Sequence, residues 1–296
     1  MQAALLPDRG AVKVAGDGAR RFLAGLVTND MTKVTPDSPR FAALLTPQGK
    51  IIADFIIAEA PPEDGGGFFL DCARALAPTL VEKLNFYRLR AKVICEDLSE
   101  VLGVMALWDG SGASEYGLSY PDPRLTALGS RIMLPPHLAA EAAADIGATF
   151  VDAEIYEIHR IALGVPRGGV DFIYGDTFPH EADMDQLNGV DFEKGCYVGQ
   201  EVVSRVEHRA SARSRVVPIA YDEFAPISGL PVMAGDKQVG TLGSTAKGRG
   251  LAMLRLDRVA DARAAGASLE SGGIAIRLVK PDWAKFEWPG EAKAAT

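Results

Sequence analysis
Cysteine is scarce in this chain: Cys72, Cys95 and Cys196 are the only three in 296 residues, and no two form a Cys-x-x-Cys pair. Three thiols cannot all bridge one another. That excludes a disulfide scaffold and a resident four-cysteine cluster, and points to a reducing compartment, read here as cytoplasmic. Histidine is thin as well. His159, His180 and His208 stand at no recognised ligand spacing from one another or from Cys196, so no permanently bound metal is expected. Long apolar runs are missing too. Asp54 breaks the stretch between Ile51-Ile52-Ala53 and Phe55-Ile56-Ile57-Ala58, which is far too short to cross a bilayer. No basic-then-apolar leader opens the chain, so neither a membrane span nor a signal peptide is expected. Positive charge is in deficit, with 31 Lys and Arg against 39 Asp and Glu. A general polyanion-binding surface is therefore excluded, and nucleic acid is not an expected partner.

What remains is the composition of an ordinary globular protein, 48% hydrophobic and 24% charged, long enough for a large core and more than one unit. Ala11-Val12-Lys13-Val14 alternates as a strand, and Asp17 is placed to cap a helix from Ala19 to about Leu26. Phe41 to Leu45 and Ile51 to Ala58 read as a hairpin around Pro47-Gln48-Gly49-Lys50. Leu76, Leu80, Leu84 and Tyr87 share a helix over Ala75 to Leu89, followed by a strand at Ala91 to Cys95. Val101 to Trp108 and Ser130 to Leu134 read as strands, His137 to Ile146 and Ala153 to Leu163 as helices. Gly164 to Phe192 is irregular, and loops of such length tend to be functional. Strands and helices without strict alternation predict an α+β fold. From Val216 short apolar runs alternate with Gly-rich turns, which predicts a small β-barrel or sandwich. The domains expected are 1–212, containing two interleaved subdomains, and 213–288, with a tail at 289–296.

The chemistry concentrates in Lys194-Gly195-Cys196-Tyr197-Val198-Gly199-Gln200-Glu201. A thiol, an amine, a carboxamide and a carboxylate fall within eight residues. The run Gln200 to Glu207 is predicted helical, placing Cys196 near the positive end of a helix dipole with Lys194 beside it. Both would favour the thiolate, the nucleophilic and metal-binding form. A buried structural cysteine in a Gly-bounded turn is the alternative.

This octapeptide resembles the signature of the YgfZ family of folate-binding proteins, relatives of the glycine cleavage T-protein that assist iron–sulfur protein maturation. Phe22-Leu23-Ala24-Gly25-Leu26-Val27-Thr28-Asn29-Asp30, Pro47-Gln48-Gly49-Lys50, Arg160 to Pro166 and Asn188-Gly189-Val190-Asp191-Phe192 resemble the same family. The resemblance implies a T-protein-like architecture: a folate-binding region of mixed sheet and helix, then a small C-terminal β-barrel. It implies tetrahydrofolate or a related folate as ligand, and iron–sulfur assembly proteins or client enzymes as partners. Cys196 and Lys194 would act in catalysis. Asp54, Tyr197, Gln200, Glu201 and Arg205 would contact the ligand, with Asp54 facing the pterin. Ala162 stands where many relatives carry a glutamate that hydrogen-bonds the pterin. Losing a charged hydrogen bond costs about 1.5–3 kcal/mol, so folate is expected to bind weakly, to bind differently or not to bind.

Arg205, Arg209, Arg213 and Arg215 fall within eleven residues and suggest a patch for a folate glutamyl tail or an acidic partner. Three functions follow. The first is an assembly or repair factor acting through Cys196. The second is a folate-dependent aminomethyl or one-carbon transferase, favoured by Asp54 and disfavoured by Ala162. The third is a non-catalytic adaptor docking through its arginines.

Overall fold
The computed structural model describes residues 1–208, 212–222 and 224–289. The chain divides into two compact units, one of residues 1–156 and 187–202, the other of 157–186 and 203–296. No helix among the described residues is long and apolar enough to cross a membrane.

The first unit opens with strands β1 (Gln2–Leu6) and β2 (Arg9–Ala15) and helix α1 (Ala19–Ala24). Strands β3 (Arg40–Leu45), β4 (Ile51–Glu59) and β5 (Phe68–Ala73) follow, then α2 (Ala77–Arg88) and β6 (Ile94–Asp97). Five strands pair in the order β3-β4-β5-β2-β6. Alternation along β4 sends Ala53, Phe55 and Ile57 into a core shared with Leu23 of α1 and Leu80 and Leu84 of α2. Each such large aliphatic or aromatic burial contributes about 1.5–3 kcal/mol. The hairpin expected around Pro47 to Lys50 is present. The expected Asp17 cap is not: Gly18 occupies the N-cap of α1, without a side-chain bond. The strand expected at Ala91 to Cys95 runs later, from Ile94.

The same unit continues with β7 (Gly103–Trp108), β8 (Leu118–Pro121), β9 (Ser130–Leu134), α3 (Ala139–Asp145) and β10 (Thr149–Phe150). These build a second five-stranded sheet, β10-β1-β7-β9-β8, with Met105, Leu107, Ile132 and Leu134 packed on the alanines of α3. A chain of buried charges joins the two sheets. Asp71 of β5 accepts from Arg9 at 2.7 Å, Arg131 at 2.6 Å and the Tyr120 hydroxyl at 3.2 Å. Arg131 also donates to Asp122 at 3.1 Å, and Asp122 takes both prongs of Arg124 at 2.9 and 2.7 Å. Burial opposes ionisation of both carboxyls, but the guanidiniums beside them win and hold Asp71 and Asp122 below the usual carboxylate range.

Helices α4 (Ala153–Ala162) and α5 (Gln200–His208) precede the barrel strands. Those are β11 (Ser214–Ala220), β12 (Pro231–Ala234), β13 (Lys237–Ala246), β14 (Arg249–Arg255), β15 (Leu269–Ser271) and β16 (Ile274–Leu278), with α6 (Leu256–Ala264) between β14 and β15. They close in the order β11-β14-β13-β12-β15-β16 around Val217, Ile219, Val232, Leu254 and Ile276. The C-terminal barrel is thus as expected, except that α6 contributes Val259 to its core. In the same unit the irregular segment after Gly164 is pinned, not loose. Arg160 donates to Asp171 at 2.9 Å and Ser244 at 2.8 Å, and Asp171 accepts the Ser244 N–H at 2.7 Å.

Candidate functional site
Two stretches more than 150 residues apart in sequence build the site in the first unit. Thr28 is fully buried, and its hydroxyl donates to the Gly189 carbonyl at 2.6 Å. The Thr28 carbonyl accepts the Asp191 N–H at 3.0 Å. The Asn29 carboxamide donates to the carbonyls of Asn188 at 2.7 Å and Phe41 at 2.8 Å. Lys33 pairs with Asp191 at 2.6 Å. The segment Thr28-Asn29-Asp30 is therefore the bed on which the approach to the signature lies.

Lys194 continues the anchoring. Its ammonium donates to the carbonyls of Ala24 at 2.8 Å and Val27 at 2.5 Å, at the end of α1. Helix C-termini leave such carbonyls without partners, and a lysine there satisfies them and suits the dipole. Burial still wins on its titration, lowering it to about 8 despite Asp30 and Asp191 nearby. This amine ties the loop to α1. Tyr197 lies beneath it, ring centroid 4.6 Å from Nζ. That ring is buried, and burial pushes the phenol well up. Tyr197 packs in the protein, not on an open face where a ligand would stack.

Beyond Cys196 the anchor is steric. Gly199 has φ +83°, and a Cβ there would meet the Thr46 carbonyl oxygen at 2.6 Å and Gly49 Cα at 3.1 Å. The second glycine of the signature thus seats directly on the turn of the β3–β4 hairpin. Gly195, by contrast, has open space around it. Between Lys194 and Gly199 the Cys196 side chain is exposed, whereas Cys72 and Cys95 are buried. Desolvation pushes the Cys72 thiol up to about 12. The structure singles out one reachable sulfur, held at the apex of a loop fixed on both sides.

The remaining expected residues separate. Gln200 begins α5 and is half-buried, while Glu201 and Arg205 are exposed on the same helix. Asp54 is buried at 7% exposure, on the face of β4 opposite Phe55 and Ile57, and its charge acts on Arg9. Of the arginine group, Arg213 is exposed and Arg209 lies outside the described residues. Arg215 is buried against Asp183 at 3.0 Å and Asp185 at 2.8 Å, so it belongs to no surface patch. Ala162, exposed at the end of α4, offers no polar side-chain atom. For a pterin, the ring contact that the resemblance places at 162 is missing, because alanine carries no side-chain hydrogen-bonding atom. The sequence reading passed over Arg40. It lines a cleft of about 640 Å³ with Lys33, Asn188 and Phe192, and its Nε is buried without a hydrogen bond among the described residues.

Residues 213–286 match the family described as the CAF17 C-terminal beta-barrel domain. A Mycosarcoma maydis protein named "Iron-sulfur cluster assembly factor IBA57 homolog, mitochondrial" is 35% identical over 74% of this chain. The chain spans 57% of that protein's length and 54% of a Neurospora crassa protein of the same name, 31% identical. The human protein named "Iron-sulfur cluster assembly factor IBA57, mitochondrial" is 29% identical, covering 97% of this chain and 85% of its own length. Among solved structures, the glycine cleavage system aminomethyltransferase T from Bartonella henselae superposes with a TM-score of 0.75 at 16% identity, over 97% of this chain and 87% of its own. The fold is therefore T-protein-like. The cytoplasmic expectation is corrected by these relatives, whose names place them in mitochondria. Unbridged thiols mark a reducing compartment without saying which one.

Proposed function
We propose that the chain is an accessory factor in the maturation or repair of iron–sulfur proteins, working through the Cys196 thiol. The relatives' names supply the process, and one observation carries the assignment to a residue. Cys196 alone of the three cysteines is exposed, on a loop that Lys194 and Gly199 hold against α1 and the β3–β4 hairpin. Such a loop presents its sulfur to a partner's cluster or thiol with little reorganisation, since its backbone is already ordered. Lys194 positions the loop, and Gln200 and Glu201 start the helix that follows. The partners would be iron–sulfur assembly proteins or client enzymes, for which an exposed sulfur is a natural meeting point. A folate forms no step of this reading.

Complementation tests it. In a strain lacking its own relative of this protein, the wild-type chain should restore cluster-dependent enzyme activities, while Cys196→Ala should restore few or none. Cys72→Ala, if soluble, should behave as wild type. Full rescue by Cys196→Ala would remove the thiol from the mechanism. Rescue lost only when Arg205 and Arg213 are neutralised would favour the adaptor reading.

A further inference from the structure
Donors from two stretches of the chain, one at 180–185 and one at 207, converge in the second unit. A ring nitrogen of His180, one carboxylate oxygen of Asp185 and one of Glu207 all lie within 4.8 Å of one another. His180 is buried at 2% exposure. Its turn is held in place by the Val216 N–H, which donates to the Glu181 carbonyl at 2.9 Å, and by Arg215, which donates to the His180 carbonyl at 2.7 Å. Nε2 stands 3.0 Å from Glu207 Oε2. Glu207 comes from the last turn of α5 with its side chain 45% exposed, so the cluster opens to solvent on that side. Behind it, Asp183 and Asp185 share Arg215. The second oxygen of fully buried Asp183 has no hydrogen-bond partner among the described residues.

We propose that His180, Asp185 and Glu207 bind an exchangeable first-row divalent cation such as Zn²⁺ or Co²⁺. Ligand atoms about 2.0–2.2 Å from a zinc ion lie roughly 3–4 Å from each other, which the present spacing reaches with small side-chain shifts. An imidazole beside two carboxylates suits such ions better than Mg²⁺ or Ca²⁺, which take oxygen donors. Arg215 does not preclude ligation by Asp185. Each carboxylate oxygen has two lone pairs, and an outer hydrogen bond is the usual means of orienting a ligand. Sequence spacing could not show this site, because the residues at 180, 185 and 207 meet only in the fold. None of the three belongs to the Cys196 loop, so the site stands or falls separately from the proposed function.

The test is titration of the tag-free chain with Co²⁺ and Zn²⁺, by visible absorption and calorimetry, repeated in Cys196→Ala to exclude thiolate ligation. One ion per chain is expected in both backgrounds, with millimolar Mg²⁺ unable to displace it. Glu207→Gln, at an exposed position that should not disturb folding, and His180→Gln should each weaken binding ~10-fold or more. Absence of saturable binding, equal affinity in Glu207→Gln, or loss of binding in Cys196→Ala alone would overturn the assignment.

Discussion
The Asp71 network and the Cys196 loop lie in the same compact unit and treat their polar groups in opposite ways. Around Asp71 the guanidiniums of Arg9 and Arg131, the Tyr120 hydroxyl and the neighbouring Asp122 satisfy one another, sealed from water between two sheets. Cys72, the next residue in β5, turns to the other face and is buried in the apolar core. Around Cys196 the polar groups fix the flanks and leave the centre open. Lys194 is spent on two carbonyls, Asp191 on Lys33 and the Thr28 carbonyl, and Gly199 on the hairpin. The first arrangement holds the fold together. The second spends its hydrogen bonds on presenting a side chain that contributes nothing to the core.

The largest effect on that contrast comes from Asp71→Asn, which leaves Arg9 and Arg131 without their shared carboxylate. A loss of about 3–5 kcal/mol is expected in urea unfolding, against less than about 0.5 kcal/mol for Cys196→Ala. Comparable losses from the two would break the contrast. Next is Gly199→Ala, where the left-handed backbone alone costs about 1–2 kcal/mol and the contact with Thr46 adds to it. Amide exchange should quicken in residues 188–200, not in the Asp71 strands. Smallest is Lys194→Met, at about 1 kcal/mol, and its dependence on pH is diagnostic. Between about 8, where the folded lysine titrates, and its ordinary 10.5, the unfolded chain holds a proton that the folded chain has shed. Wild-type stability relative to Lys194→Met should therefore rise across that window and stay flat below it.

Much of this was legible in the sequence, for physical reasons. The β3–β4 hairpin announced itself by a Gly-containing turn between strand formers, and α5 by the run after Gly199. The barrel showed in its Gly-spaced apolar runs, but α6 did not. Leu256 follows β14 directly, and Arg255 at the N-cap makes no side-chain capping bond, so no start signal exists. Strand β1 is short and owes its place to β7 and β10, far along the chain. Within the site, Cys196 could be picked out by its neighbours. The target of Lys194 could not, because backbone carbonyls at a helix end carry no sequence mark. Arg215 looked like surface charge until the fold turned it onto Asp183 and Asp185.

The claim beneath all of this is that one sulfur is reachable and two are not. Native-state alkylation with iodoacetamide at pH 8, mapped by peptide mass spectrometry over time, measures it directly. Cys196 should be modified to completion while Cys72 and Cys95 stay unmodified until denaturant is added. Labelling of Cys72 or Cys95 at the rate of Cys196, or protection of Cys196 in the folded chain, would contradict the account.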